Sequence, residues 1–222
     1  MIVVTFALPQ ESGDFRRTLR VAGGRLGGEE VRVLHIGVGA GAAAESVRRL
    51  VAADAPRTLI CAGFAGGLDP RVRTGDLVIA ENFSEPTLCA RARTLGGQQP
   101  LFGLLVTHDT PIETVAAKTA LAHATGALAV DMETAAVAEI CRTAGVPLLS
   151  VRAISDDATT PLPVPFAEWF DLQHQRPRPW RLLRHLTLHP ARVRPFAHFV
   201  RGLAPARHAL ADFLVRILSQ PL

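Results

Sequence analysis

The sequence predicts an α/β protein whose sheet is covered by helices on both faces, and three observations carry that expectation. Short apolar runs rich in Val, Ile and Leu alternate with helix-like segments from the first residues onward. The runs are near-continuously apolar, as strands buried on two faces require. The joints that follow them are polar or glycine-rich: "LPQES" after the first, "GVGAGAA" after the second and "GFAGGLDP" after the third.

Taken in order, residues 2–8 read as a strand, and Pro9 suits the first turn of a helix that carries Glu11, Phe15 and Leu19. A second strand near 31–36 leads through glycines into a helix over about 42–53. "RTLICAGFAGGL" gives a third strand ending in a Gly-rich turn, and "GDLVIAENF" a fourth. After a polar stretch at 91–100, "LFGLLVTHD" reads as a strand, "ETVAAKTALAHATG" as a helix and "ALAVDM" as a strand running into another helix. Gly145 and Pro147 close that helix. "PLLSVRAI" is the last buried strand, with Ser155 and Asp156 at its carboxyl end. Ligands of such sheets bind beyond the carboxyl ends of strands, so "LPQES", "GFAGG" and "SDDA" are expected at one edge.

Length and composition narrow the class. A chain of 222 residues that is 48% hydrophobic has enough apolar surface for one well-buried core. Its three widely spaced cysteines, Cys61, Cys89 and Cys141, suggest neither a metal site nor a disulfide framework, so no metal is expected and a reducing cytoplasm fits best. No apolar run reaches the roughly 18–20 residues of a membrane span, and no secretory leader is read at the N-terminus. The charge is uneven: residues 172–222 hold nine arginines and one acid, a formal +8 that leaves −4 for residues 1–171. We therefore expect a catalytic unit over 1–171 and an Arg-rich helical extension over 172–222 that packs on it. Contact of that extension with an anionic membrane surface is the alternative, and nucleic acid is not an expected partner.

Several residues have both a structural and a chemical reading. Gly37, Gly39 and Ala42 match a weak dinucleotide fingerprint, but no acid follows the next strand, and close packing of turn, helix and sheet accounts for the glycines. "GFAGGLDP" offers backbone N–H groups to an anion or a sugar edge, or is a tight turn. Glu11 is placed in the first turn of its helix, where the dipole favours a carboxylate in any case. Glu133 lies near a helix start among Met132, Ala135, Ala136 and Val137, where burial without a partner is costly. Asp156, at the end of an apolar strand, suits a general acid. Asp131 reads as a helix-start residue and Asp157 as solvated.

Together, "AVDMETAAVAEICRTAGVPLLSVRAISDDA", "LPQES" and "AGFAGGLDPRVRTGDLVIA" resemble the purine nucleoside phosphorylase and nucleosidase superfamily over about residues 1–160. The nearest character is that of methylthioadenosine/adenosylhomocysteine nucleosidases and of hopanoid-associated, adenosylhopane-cleaving phosphorylases. The resemblance implies a three-layer α/β/α sandwich with a mixed, twisted central sheet. It implies that Asp156 protonates N7 of the leaving purine and that Glu11 orients or deprotonates the attacking water. Glu133 would hold the ribose hydroxyls, Met132 would pack on the sugar, and Ala65 and Gly66 would line the site, with Ile112 and Ser155 completing the substrate contacts. No cofactor is implied beyond phosphate as co-substrate of a phosphorylase, and a homodimer is expected.

Two departures bear on the reaction. Hexameric phosphorylases carry a phosphate-binding Arg just before the Gly-rich loop, where this chain has Cys61, so water is the expected nucleophile. Arg16, Arg17 or His35 keep phosphorolysis as an alternative. Phe64 replaces the usual Ser of the loop, and the shorter stretch between Asn82 and Leu101 implies a more open 5′ side that admits a larger or lipid-like group. A third alternative is a non-catalytic purine-binding or membrane-surface protein.

Overall fold

The structure, a computed structural model, describes residues 1–220. β1 (Ile2–Phe6) is buried at all five positions and leads to α1 (Gly13–Val21), whose Phe15 and Leu19 face the core. A hairpin of β2 (Arg25–Leu26) and β3 (Glu29–His35) follows, then α2 (Ala40–Asp54) and β4 (Thr58–Gly67). β5 (Leu77–Ala80), α3 (Pro86–Arg93), β6 (Leu101–Gly103) and β7 (Leu105–Thr107) make up the middle of the chain. α4 (Val115–Thr125), β8 (Ala129–Asp131), α5 (Thr134–Ala144) and β9 (Leu148–Asp156) complete the main sheet. Beyond it lie α6 (Phe166–Trp169), the short pair β10 (Phe170–Asp171) and β11 (Arg176–Pro177), α7 (Pro179–Leu188) and α8 (Val193–Leu218).

The main sheet runs β2-β3-β1-β4-β9-β5-β6, with β8 joining β4 and β7 joining β8. β1 is parallel to β3 and β4, and β4 is parallel to β9. β5 against β9 and β8 against β4 are antiparallel, so the sheet is mixed. β4 and β9 are its centre, which is why "LICA" and "LLSV" are apolar at nearly every position. Helices α1, α3 and α8 share one apolar cluster with β1, β4 and β9. α2 and α5 share another on the opposite face. The result is the three-layer arrangement expected from the sequence.

Helix ends follow local chemistry. The Thr114 hydroxyl accepts the Ala117 N–H at 3.2 Å to start α4. Gly126 and Gly145 take the left-handed conformation that ends α4 and α5. Gly37, at φ 82°, is held by space as well as by backbone: a Cβ there meets the Ala42 Cβ at 2.9 Å and Gln175 Oε1 at 3.0 Å. The glycines at 37 and 39 thus let β3 turn into α2 beneath the 172–175 segment.

Three local expectations are corrected. "LFGLLVTHD" is two strands, because Leu104 breaks the run and sends β6 to pair with β5 and β7 to pair with β8. The polar stretch read at 91–100 begins inside a helix that was not anticipated, α3, whose Leu88, Cys89 and Ala92 are buried on the sheet behind Pro86 at the helix start. "GFAGG" is no turn but the end of β4, which continues in register beside β9 to Gly66 with an irregularity between Ala65 and Gly66. Among the described residues, no helix is long and apolar enough to cross a membrane.

Candidate active site

The carboxyl ends of β4 and β9, flanked by β1 and β8, bring four acids and two cations into one buried region. Glu11 is not in the first turn of α1, as its spacing after Pro9 suggested. It lies in the turn ahead of the helix, whose N-cap is Ser12, and the helix dipole therefore does not account for it. Its carboxylate turns inward instead, accepting the Leu8 N–H at 2.9 Å and the Phe64 N–H at 3.0 Å. Burial raises its pKa, against the opposing pull of those two amides and of Arg152.

Gly63 makes the approach feasible. A Cβ at that position meets Arg152 Nη1 at 2.5 Å and Glu11 Oε1 at 3.1 Å. Glycine is needed here because a guanidinium and a carboxylate converge on its α-carbon, whatever its backbone angles.

Arg152 is the element that the sequence reading passed over. It stands in the middle of β9, 1% exposed, with its guanidinium paired to Asp131 at 2.6 Å. It also donates to Thr134 Oγ1 at 2.7 Å and to Cys61 Sγ at 3.1 Å. Burial opposes its charge, but Cys61, Asp131, Glu133 and Glu11 outweigh that effect and raise its pKa. One signal was available: an arginine inside a strand apolar on both faces must meet an acid or leave a charge unpaired.

Asp131 is thereby reassigned. It does sit at a helix start, accepting the Thr134 N–H at 3.1 Å, but its side chain is engaged by Arg152, Thr134 and Thr107. It holds Arg152 in place and has no free face for ligand.

Glu133 is the N-cap residue of α5 and accepts the Gly39 N–H at 2.8 Å. Burial, and then the negative charge of Asp131, push its pKa up to about 7. Met132 beside it is half-buried and packs with Leu8, Phe166, Trp169 and Phe170. The pocket that opens there, about 420 Å³, is bounded by Val38, Gly39, Asp109, Met132, Leu172 and Gln175. Gln175 closes that wall by accepting the Val38 N–H at 2.7 Å and donating to the Val38 carbonyl at 2.9 Å.

Asp156 ends β9 opposite Gly66 of β4. One of its oxygens accepts the Ser155 hydroxyl at 2.5 Å, and the other is paired with Lys118. Lys118, from α4, is fully buried and also donates to the carbonyls of Asp157 at 2.7 Å and Thr160 at 2.8 Å. It too was missed, being hidden in an Ala-rich helix with a weak apolar stripe. Asp157, read as solvated, closes the next turn by accepting from the Thr159 and Thr160 hydroxyls.

Of the remaining expected contacts, Ala65 is buried and its carbonyl accepts the Ser155 hydroxyl at 3.2 Å. Gly66 borders Asp156, Val130 and Lys118, with Asp156 Oδ2 3.4 Å from where a Cβ would stand. Ile112 is not brought to the pocket beside Met132. It packs against the cluster of Leu68, Ala127 and Val130, the last of which also borders Gly66. Glu11 at Gly63 and Asp156 at Gly66 are separated by three residues of β4, roughly 10 Å along the strand. A second cleft, about 600 Å³, lies elsewhere, between α5 and the 82–85 turn, and touches none of these groups. Among the described residues, no cluster of three or more His, Cys, Asp or Glu has the placement to hold a metal ion.

With this geometry in hand, comparison with known proteins decides the family. Residues 7–98 and 85–176 match the family described as the phosphorylase superfamily. The chain belongs to the phosphorylase superfamily. Within the superfamily, it is 30% identical to the 5′-methylthioadenosine/S-adenosylhomocysteine nucleosidase of Shewanella halifaxensis, over 66% of this chain and 76% of that protein. A protein of the same description from Marinomonas is 30% identical over the same shares. Solved superfamily structures share the fold. The Campylobacter jejuni 5′-methylthioadenosine/S-adenosylhomocysteine nucleosidase superposes with a TM-score of 0.72 at 19% identity, over 98% of both chains. Futalosine hydrolase of Helicobacter pylori gives 0.70 at 19%, over 97% of this chain and 96% of that one.

Proposed function

We propose that the protein is a purine nucleosidase, which hydrolyses the N-glycosidic bond of an adenine-type nucleoside. The observation that carries the reading is the placement of two acids at opposite ends of one stretch of β4: Glu11 beside Gly63 and Phe64, and Asp156 beside Gly66. The gap suits a ribose and the near edge of a base. The curated relatives support the same class, being 5′-methylthioadenosine/S-adenosylhomocysteine nucleosidases by description.

In this reading the C1′–N9 bond breaks as water attacks C1′. Asp156 must carry a proton in the substrate complex, the carboxylate that faces Lys118 in the free chain having taken one up; it donates that proton to N7, so the base leaves neutral, and Glu11 takes the proton that the water loses. The sugar passes through oxocarbenium character, which Glu11 and Glu133 stabilise by their negative charge. Glu133 accepts from the ribose hydroxyls, and Met132 packs on the sugar. Lys118 and Ser155 fix the orientation of the Asp156 carboxyl.

Hydrolysis is favoured over phosphorolysis by the electrostatics around Glu11. A phosphate beside Gly63 would meet the Glu11 carboxylate at close range, and the nearest guanidinium, Arg152, spends Nε and Nη2 on Asp131, Thr134 and Cys61, so that Nη1 alone faces Gly63. Arg16 and Arg17 are exposed, and Arg17 faces Asp14. His35 is bonded to Ser12 Oγ at 2.8 Å. The test is adenine or hypoxanthine release from methylthioadenosine, adenosylhomocysteine, adenosine and inosine, each with and without phosphate. Turnover that strictly requires phosphate rejects the hydrolytic reading.

A further inference from the structure

We propose that the arm formed by residues 172–205 is a docking surface for an anionic lipid bilayer, with α7 as its contact element. Not one residue of this arm is buried, although it includes a ten-residue helix and half of another. Trp180 is 80% exposed, Leu183 52%, Leu188 64%, Val193 45% and Val200 47%. Five of the nine exposed large hydrophobic residues of the described chain therefore fall within 21 consecutive positions.

α7 is two-sided. Leu182, His185 and Leu186 are half-buried towards the body, while Trp180, Arg181, Leu183, Arg184 and Leu188 are exposed on the side away from it. A tryptophan and leucines interleaved with arginines, on a helix side that nothing covers, form the pattern of a helix lying in a membrane interface. There, apolar side chains enter the acyl boundary and guanidiniums pair with lipid phosphates.

The charge selects the partner. Residues 172–205 contain seven arginines and no acid. Arg178 is committed to Asp171 at 2.6 Å, and Arg192 donates to the Pro163 carbonyl at 3.2 Å. Arg176, Arg181, Arg184, Arg194 and Arg201 make no ion pair within the described structure. Pairing α7 with α7 of a second copy would bring this uniformly positive surface against itself. A nucleic acid would neutralise the arginines but offer little to Leu183, Leu188 and Val193. An anionic bilayer satisfies both sets of side chains at once.

The test is co-flotation of the full chain with phosphatidylcholine vesicles, with and without about a third phosphatidylglycerol, at low and high salt. The expected result is flotation with the anionic vesicles only, weakened by salt, together with a blue shift of tryptophan emission that Trp180→Phe abolishes. The paired variants Arg181→Glu/Arg184→Glu and Trp180→Ala/Leu183→Ala should each lower partitioning about tenfold or more, with unchanged circular dichroism and melting temperature. Absence of flotation, or flotation that both paired variants leave unchanged, overturns the proposal. So does loss of a dimer, or of duplex or single-stranded RNA binding, in those variants when the wild type shows no affinity for vesicles.

Discussion

Lys118 and Asp156 form a buried ion pair beneath the end of β9, with the lysine side chain at 0% exposure and the aspartate side chain at 6%. The pair joins the middle of α4 to the residue proposed as general acid, and it makes the acid's orientation depend on a helix 38 residues earlier in the chain.

Asp156→Asn removes the proton donor while keeping the size of the side chain and its contact with Ser155. We expect kcat for purine nucleosides to fall about 10²- to 10⁴-fold with a much smaller change in KM. Steady-state kinetics on the best of the four nucleosides checks this, and an active variant removes Asp156 from the acid role.

Lys118→Met leaves the Asp156 carboxylate buried without its cation. Breaking a buried pair from one side costs about 3–5 kcal/mol, whereas removing both charges is far less costly. The double variant Lys118→Met/Asp156→Asn should therefore be more stable than Lys118→Met alone in urea unfolding. Equal stability of the two would mean that the pair is not desolvated.

Gly63→Ala places a methyl group where Arg152 Nη1 and Glu11 Oε1 converge. We expect a soluble, folded protein whose kcat/KM is lowered at least tenfold, because Glu11 and Arg152 must both shift. An unimpaired variant would show that Glu11 does not act from its present position.

Glu133 gives a pH signature. Its pKa lies near 7 in the folded chain, against an ordinary value of 4.5. The native state therefore holds a proton that the unfolded chain releases, and stability conferred by the protonated form is present below about pH 4.5 and lost as pH rises through 7. Glu133→Gln should flatten this dependence, so its melting temperature relative to wild type should be higher at pH 8 than at pH 4. Activity moves the other way. An anion beside the oxocarbenium requires the carboxylate, so kcat/KM should rise with pH through a limb near 7 that Glu133→Gln removes.

How far the site was legible in the sequence depended on where each charge stands. Glu11, Glu133 and Asp156 lie at the ends of elements, where a carboxylate breaks an apolar pattern, and the sequence singled them out as candidates. Arg152 and Lys118 lie inside elements that were recognised correctly as strand and helix, and there the pattern of the neighbours masked them. The covering of the sheet by helices on both faces followed from alternation, but two details did not. The break at Leu104 and the continuation of β4 through "GFAGG" depend on which strand each segment meets, and that partner is remote in sequence.

The anchoring of Glu11 has a consequence for how the protein comes to work at all. Its carboxylate is fixed by one amide from its own turn and by another 53 residues away on β4, and β1 and β4 pair in parallel, a contact that no hairpin can form early. Glu133 and Asp156 arrive later still in the chain. No nascent or partly unfolded form that lacks the β1–β4 and β4–β9 pairings can assemble the set. Catalytic turnover should therefore vanish in step with the global unfolding transition, serving as a reporter of the whole sheet instead of one corner of it.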